Sequence, residues 1–444
     1  MGKLAIIGGG ESGVGAALLG KQKGLNPLLS DHSKIKENYK KILSDNQIAY
    51  EEGGHKDSSI LNADLVVKSP GVPESVPIVE KILKKRIPLI SEIEFAARYT
   101  DAKLICITGS NGKTTTCSLL HKILLDAGIN AGLAGNIGSS FALAVASQKH
   151  DIFVLEISSF QLDGMFEFKA DIAVLLNISP DHLDRYNNSF QNYADSKMRI
   201  IQNMTPSDQL IYNADDPIVV REIEKRKPKV ELFPFSIRKK VNKGSCLTNN
   251  KIIVKNQKEE FSMSIRNLAL QGKHNTYNSM AAGIAAKLMD VRNQSLKDSL
   301  TEFQALPHRM ENVTTVGGVQ YINDSKSTNV NSSYFALESV NKPIVWIAGG
   351  KDKGNDYSSL EKMVASKVKA IVCLGLNNVN LHEKFGKVVP TILDAYSASE
   401  AVDMAQRIAD PGDVVLLSPA CASFDLFENY EDRGQQFKNA VYEL

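Results

Sequence analysis

The stretch TGSNGKTTT, residues 108–116, lies between the apolar run LICI and the helix-like segment CSLLHKILLDAG. A strand, a glycine turn and a helix start in that order gather backbone N–H groups around one point, which is how a phosphate is cradled. The common form of such a loop is G-x-x-x-x-G-K-[ST]; here only Ser110 and Asn111 separate Gly109 from Gly112, ahead of Lys113 and Thr114. The feature commits this part of the chain to a sheet with its ligand at the carboxyl edge. Gly109, Ser110, Asn111, Gly112 and Lys113 supply the cradle. Lys113 reaches the β and γ oxygens, and a hydroxyl of Thr114 or Thr115 faces Mg2+. The competing reading is a glycine-rich turn with a solvated lysine.

Similar rhythms occur on both sides of the loop. KLAIIG, SGVGAALLGKQKG, NPLLSD and ADLVVKSPG alternate strand and helix patterns as a Rossmann-like unit does. KPIVWIAGG, KAIVCLG and DVVLLSP restart the rhythm near the C-terminus. A chain of 444 residues exceeds one core. The expectation is α/β with three domains: a Rossmann-like N-terminal domain over 1–92, a central P-loop-type ATP-binding domain over 93–297, and a Rossmann-like C-terminal domain over 298–444. The segment from KVELFPFS to FSMSI predicts a small antiparallel extension, and HNTYNSMAAGIAAKLMD predicts a helix.

Fifty-two basic and 50 acidic residues give a net charge of +2, so no global field calls for nucleic acid or an anionic membrane. Any anion is bound locally. The five scattered cysteines include no C-x-x-C pair, which argues against a disulfide framework or a zinc site. The apolar run at the N-terminus is too short for a signal peptide or membrane span, and a cytoplasmic chain is expected.

A phosphate loop needs a carboxylate for its metal at the end of a neighbouring strand, and Glu156 in DIFVLEISSFQL occupies such a position. NISPDHLDRY places His182 beside Asp181 and Asp184, and YADSK contributes Lys197. Singly, these read as a strand-end acid, a solvated histidine and a surface lysine. One rival reading is a nicotinamide-dependent dehydrogenase, because Gly8, Gly10 and Gly13 follow a strand and Asp31 lies where a ribose-binding acid would sit. It leaves TGSNGKTTT, His182 and Lys197 without a role. A nucleotide-regulated binding protein that performs no chemistry is the other.

The ordered set TGSNGKTTT, AGNIG, EISSFQL, NISPDHLDRY, YADSK, GKHN, LPHRME, NDSKSTN, GGKDKGND and LLSPACASFD resembles the Mur ligases, ATP-dependent amide ligases of peptidoglycan synthesis, over essentially the whole chain. EISSFQL, NDSKSTN and SPACASFD are most similar to the members that add D-glutamate to UDP-N-acetylmuramoyl-L-alanine. A sister ligase adding another amino acid is the alternative. The resemblance implies that the N-terminal domain holds the UDP group, the central domain ATP, and the C-terminal domain the amino acid.

Carried over by position, the resemblance gives Lys113, His182, Lys197 and Arg309 catalytic roles. Two Mg2+ ions fall to Thr114, Glu156, His182 and Lys197, the last carbamylated. Asn275, His308 and Asp324 fall to the adenine and ribose, and Arg309 to the γ-phosphate. Asn136, Ser158 and Gln161 match positions around the sugar and L-alanyl end. Lys326, Thr328, Lys353, Ser423, Phe424 and Tyr430 match the D-glutamate positions. Gly10, Glu11, Ser12, Gly13, Ser69 and Gly71 fall to the UDP end. Three departures from the family pattern stand out: Glu11 beside the expected pyrophosphate, His32-Ser33 where relatives can carry Thr-Arg, and Tyr430 where Phe can occur. The remaining implications are small-molecule substrates, no nucleic acid or membrane partner, and a monomer.

Overall fold

The computed structural model describes residues 2–256, 259–303, 307–352 and 354–444. Two compact units emerge: Met1–Gln271 with Asn275–Phe303, and Gly272–His274 with Gln304–Leu444. Among the described residues the strands form three sheets, each the centre of one α/β domain, and the first unit contains two of them.

The first sheet is parallel throughout, with strands β1 (Lys3–Ile7), β2 (Asn26–Ser30), β3 (Ala49–Glu51), β4 (Leu65–Lys68) and β5 (Leu89–Ser91) in the order β3-β2-β1-β4-β5. A parallel strand between two neighbours is covered on both faces, and β1 accordingly reads LAII after its first residue, all buried. The sequence reading found β1, β2 and β4 but not the three-residue strands β3 and β5, which are too short to show a period.

The second sheet contains β6 (Lys103–Thr108), β7 (Ala131–Gly135), β8 (Ile152–Glu156), β9 (Ile172–Leu175), β10 (Gln209–Asn213), β11 (Glu231–Ser236), β12 (Gly244–Thr248), β13 (Lys251–Lys255) and β14 (Glu260–Ser264). Its order is β14-β13-β12-β11-β10-β9-β6-β8-β7. The antiparallel extension is confined to β12, β13 and β14; β11 pairs parallel with both its neighbours. The helix expected from HNTYNSMAAGIAAKLMD spans Lys273–Leu288.

The first two sheets share one continuous core, running from Leu4 and Ile6 through Phe95, Phe141 and Phe153 to Tyr193 and Ile223. Polar ties reinforce it. Glu11 Oε1 accepts from the Ser140 backbone N–H at 2.9 Å, and Glu94 Oε2 accepts from Phe166 and Phe168 N–H at 3.0 and 2.8 Å. Gly15 lies so close to Ser140 and Leu143 that a Cβ there would stand 2.7 Å from the Leu143 nitrogen.

The second unit holds the third sheet, β15 (Glu311–Val316), β16 (Val319–Asn323), β17 (Ile344–Gly349), β18 (Val368–Leu374), β19 (Ile392–Ala395) and β20 (Val414–Ala420), ordered β15-β16-β20-β17-β18-β19. Only β15 runs antiparallel to its neighbour. Trp346 is fully buried and its indole N–H donates to the Ser418 carbonyl at 2.7 Å. Among the described residues no helix is long and apolar enough to cross a membrane.

Candidate active site

At the carboxyl end of β6 the chain turns through Gly109–Gly112 into the helix Lys113–Asp126. Gly112 caps this helix at φ +84°, and a Cβ there would meet Asn278 Oδ1 at 2.5 Å, so both backbone angle and space require glycine. The next loop clamps the turn from one side. Asn111 N–H donates to Asn177 Oδ1 at 2.8 Å, Asn177 Nδ2 returns a bond to the Asn111 carbonyl at 3.0 Å, and Ser110 Oγ donates to the Ser179 carbonyl at 2.8 Å. On the other side Thr116 Oγ1 donates to Asn278 Oδ1 at 3.2 Å, and Asn278 Nδ2 donates to Asn275 Oδ1 at 3.2 Å. The shortened loop is therefore rigid, with its N-terminal N–H groups at the positive end of a 14-residue helix. Thr114 and Thr115 are buried at its start.

Two lysine nitrogens converge on one oxygen of this loop. Lys113 Nζ donates to the Gly109 and Ser110 carbonyls at 2.8 and 2.9 Å, and Lys197 Nζ donates to the same Gly109 carbonyl at 2.9 Å. Lys197 is 2% exposed, on the helix Phe190–Met198, with its nitrogen 4.6 Å from the Tyr193 ring centroid. Burial, followed by the charge of Lys113, drives its pKa well below the ordinary lysine value against the pull of Asp181, Asp163 and Glu156.

Glu156 ends β8, in register with Ile107 of β6, and is 2% exposed. Its Oε1 accepts from Asn136 Nδ2 at 2.9 Å, whereas Oε2 is buried without a hydrogen-bond partner. A buried carboxylate oxygen left in that state is costly unless a cation completes it, so the donor set fits a metal. His182 has φ +52° and packs edge-on against Phe160 at 5.1 Å, its Nε2 3.7 Å from Asp181 Oδ1. Ser158 and Gln161 form a reciprocal capping box at the start of the helix Ser159–Asp163, which fixes both side chains next to Glu156 in sequence.

The glycine turn after β1 ends at Gly10, the cap of the helix Glu11–Gln22. Gly13 packs onto the turn itself: a Cβ would stand 1.9 Å from the Gly8 carbonyl oxygen. The Glu11 carboxylate is turned toward Ser140, leaving the backbone of residues 11–13, with Ser12, at the helix start. Asp31 accepts from Gly9 N–H at 2.5 Å and from Ser33 N–H at 2.7 Å, so both oxygens of the acid invoked by the dehydrogenase reading are engaged in the local turn. Ser69 N–H donates to the Ile7 carbonyl at 2.9 Å, and Gly71 has open space where a side chain would be.

In the second unit, Asp324 is 5% exposed and accepts from Met310 N–H at 3.2 Å, from Ser418 Oγ at 2.9 Å and from Ser327 Oγ. Burial raises its carboxyl to about 6 despite these bonds. His308, at φ +62°, is held by Asn323 Nδ2 at 2.9 Å, and its carbonyl accepts from Lys326 N–H at 3.1 Å. Arg309 follows it, partly exposed. Lys326 Nζ lies over the Tyr430 ring at 3.8 Å and donates to its hydroxyl at 2.5 Å. Ala420, at φ +60°, donates its N–H to the Ser327 carbonyl at 2.9 Å, locking the SPACASFD turn to NDSKSTN. Ser423 is buried with its hydroxyl lacking a hydrogen-bond partner, while Thr328 and Phe424 are exposed. Lys353 lies outside the described residues.

The structure thus gathers Lys113, Lys197, Glu156 and Asn136 at the phosphate loop of the first unit, with Asn275 tied to it through Asn278. It gathers His308, Asp324, Lys326, Ser423 and Tyr430 on joined loops of the second. Sequence reasoning gave no role to Asn177 and Asn278, which brace the loop, although Asn177 opens NISPDHLDRY and Asn278 lies within HNTYNSMAAGIAAKLMD. It also passed over fully buried Arg433, which donates to the Ser325 and Cys421 carbonyls at 2.9 and 3.3 Å.

Three family descriptions match the chain: the MurD N-terminal domain over residues 3–76, the Mur ligase middle domain over 107–286, and the glutamate ligase domain of Mur ligases over 308–421. It is 51% identical to the UDP-N-acetylmuramoylalanine--D-glutamate ligase of Bacteroides fragilis over the full length of both chains. Identity to the ligase of the same name from Christiangramia forsetii is 50%, covering 100% of this chain and 99% of that one. Among solved structures, MurC of Thermotoga maritima, a UDP-N-acetylmuramate-alanine ligase, superposes with a TM-score of 0.63 at 17% identity over 100% of both chains. The fold agrees as well with MurF of the same organism, solved in complex with ADP, at a TM-score of 0.60 and 15% identity over 94% of this chain and 95% of that one. With every sheet, the phosphate loop and the full length accounted for, the chain belongs to the Mur ligase family.

Proposed function

We propose that this protein is the ATP-dependent ligase that joins D-glutamate to UDP-N-acetylmuramoyl-L-alanine in peptidoglycan precursor synthesis. The observation that carries the reading is the buried group around the phosphate loop: Lys113 and Lys197 on the Gly109 carbonyl, with Glu156 presenting an unpartnered oxygen beside them. A cationic Lys113 beside groups placed to hold a metal suits transfer of a phosphoryl group to a carboxylate, where two anions must approach each other.

The γ-phosphoryl passes from ATP to the L-alanyl carboxylate, giving ADP and an acyl phosphate. The amine of D-glutamate then attacks the carbonyl carbon, and the tetrahedral adduct loses phosphate and a proton to leave the amide. Lys113 and Arg309 neutralise the transferred group, while Asn275, His308 and Asp324 hold the nucleoside. Asn136, Ser158 and Gln161 orient the L-alanyl end, and the N-terminal glycine turn, Ser69 and Gly71 hold the UDP end. Lys326, Thr328, Lys353, Ser423, Phe424 and Tyr430 receive D-glutamate, whose two carboxylates match ammonium and hydroxyl donors.

Thr114, Glu156, His182 and Lys197 would hold two Mg2+ ions, which supply charge neutralisation at the phosphates. Lys197 serves there as a carbamate. Its nitrogen is nucleophilic toward CO2 only when neutral, the form that burial and Lys113 favour, and the N–C bond forms with loss of one proton. The product is an anion where a cation would repel metal. The enzyme acts as a cytoplasmic monomer on small molecules. The test is phosphate release by the purified protein with ATP, Mg2+ and UDP-N-acetylmuramoyl-L-alanine, scanned across amino acids. Stimulation by D-glutamate alone is expected; stimulation by L-alanine with UDP-N-acetylmuramate would identify a sister ligase instead.

A further inference from the structure

Away from the reaction groups, the second unit brings Cys373, His382 and Asp394 together, with one ligand atom of each within 4.8 Å of the others. Three different elements deliver them. Cys373 in β18 and Asp394 in β19 are register partners in a parallel pair, so their side chains leave the sheet on the same face. The helix Val379–Phe385 connects these strands; Leu381 and Phe385 sink into the core that also contains Cys373, and His382 stands beside them at the rim.

The pocket has an oriented donor set. His382 Nε2 lies 3.0 and 3.1 Å from the two Asp394 oxygens. Asn378, buried at the start of the helix, donates to Asp394 Oδ1 at 2.8 Å and to the Gly375 carbonyl at 3.0 Å. A carboxylate held in this way by an outer amide is the usual support of a metal ligand. Cys373 is fully buried, whereas the side chains of His382 and Asp394 are 40% and 37% exposed, so the cluster is closed by the thiol at its base and open to water at its mouth. Thiolate, imidazole and carboxylate together suit Zn2+; Mg2+, which takes oxygen ligands, has no reason to choose the sulfur.

We propose that Cys373 Sγ, His382 Nε2 and an Asp394 oxygen bind a zinc-class divalent ion, with water as the fourth ligand. On binding, the thiol proton is released to solvent and the imidazole proton that Nε2 directs at Asp394 moves to Nδ1 by exchange with water, so that a lone pair on Nε2 faces the ion. Spacing in the sequence does not indicate such a site, because the three ligands are brought together only through the strand pairing. The ion would sit beside the loops that carry Asp352 and Asp425: Asn380 Nδ2 donates to Asp352 Oδ2, and Leu376 N–H to Asp425 Oδ2, each at 3.1 Å.

The test uses the full-length protein, freed of metal by a chelator and titrated with Co2+, then with Zn2+. A thiolate-to-cobalt charge-transfer band that saturates at one equivalent and is displaced by one equivalent of Zn2+ is expected. Cys373→Ser, His382→Ala and Asp394→Asn should each abolish the band or weaken Zn2+ binding by at least about 100-fold, while ATP-dependent phosphate release with Mg2+ stays as in the parent protein and reports an intact fold. Absence of the band in the parent protein overturns the proposal. So does a band that survives His382→Ala, which would place the cobalt at another cysteine.

Discussion

Replacing Lys113 by Met removes the charge that shares one carbonyl oxygen with the Lys197 nitrogen, and the effect on Lys197 can be worked from the distances. Lys113 Nζ and Lys197 Nζ lie 2.8 and 2.9 Å from the Gly109 carbonyl, so they are separated by no more than the sum, about 5.7 Å. At an effective dielectric constant of about 20, two unit charges at that distance repel by about 3 kcal/mol, a factor of roughly 100 in an equilibrium. The repulsion disfavours the Lys197 ammonium and so favours the neutral amine that reacts with CO2. Lys113→Met, which keeps the apolar stem, should therefore lower carbamate occupancy at Lys197 by about 10- to 100-fold at fixed pH and bicarbonate, the lower end allowing for water near the half-buried Lys113. The assay is 13C NMR of the parent and variant proteins equilibrated with 13C-bicarbonate, read at the carbamate carbonyl. Equal carbamate signals in the two proteins, or none in the parent, would refute the coupling.

Gly13→Ala places a Cβ 1.9 Å from the Gly8 carbonyl oxygen, a backbone atom that cannot swing aside; a loss of about 1–3 kcal/mol is expected, and calorimetry showing an unchanged Tm would contradict it. Glu156→Gln leaves the Asn136 bond possible but removes the charge on the unpartnered oxygen. Turnover should fall by about 100- to 1,000-fold with a higher Mg2+ requirement, and a near-normal Mg2+ titration of phosphate release would take Glu156 out of the metal site. Glu222 is a pH probe of the first unit: burial pushes its carboxyl up, but hydrogen bonds from Arg226, Arg221 and Gln191 outweigh this and bring it from 4.5 to about 2. Its contribution is complete above pH 4.5 and is lost as pH falls through about 2. The stability gap between the parent and Glu222→Gln should shrink across that window in denaturant titrations; a constant gap would count against the assignment.

Much of this was legible in the sequence because the phosphate loop and the long parallel strands are local signals. β1, β6 and β20 are continuous apolar runs, and Gly112 stands where only glycine suits the turn. The short edge strands β3, β5 and β19 left no period to read, and the β15–β16 hairpin is marked only by Gly317 and Gly318 between ordinary residues. The partner of Glu11, Ser140, lies 129 residues away, and no local pattern could name it. Asn278 and Arg433 look like ordinary helix residues until the fold sets one beside Gly112 and the other under Cys421. The Cys373, His382 and Asp394 group is the extreme case, since nothing short of the β18–β19 register joins it.

The bond from Ser140 to Glu11, and the core that the first two sheets share, carry a consequence for how substrates are chosen. If the glycine turn after β1 grips the diphosphate while the loop at Gly109 delivers the phosphoryl group, then the distance between grip and delivery is built into one solid body. The enzyme then works as a fixed gauge: it checks how far the reacting carboxylate lies from the nucleotide. A donor whose spacer is longer or shorter by one residue could still be gripped at its nucleotide end, yet its carboxylate would fall beyond or short of Lys113 and remain unphosphorylated.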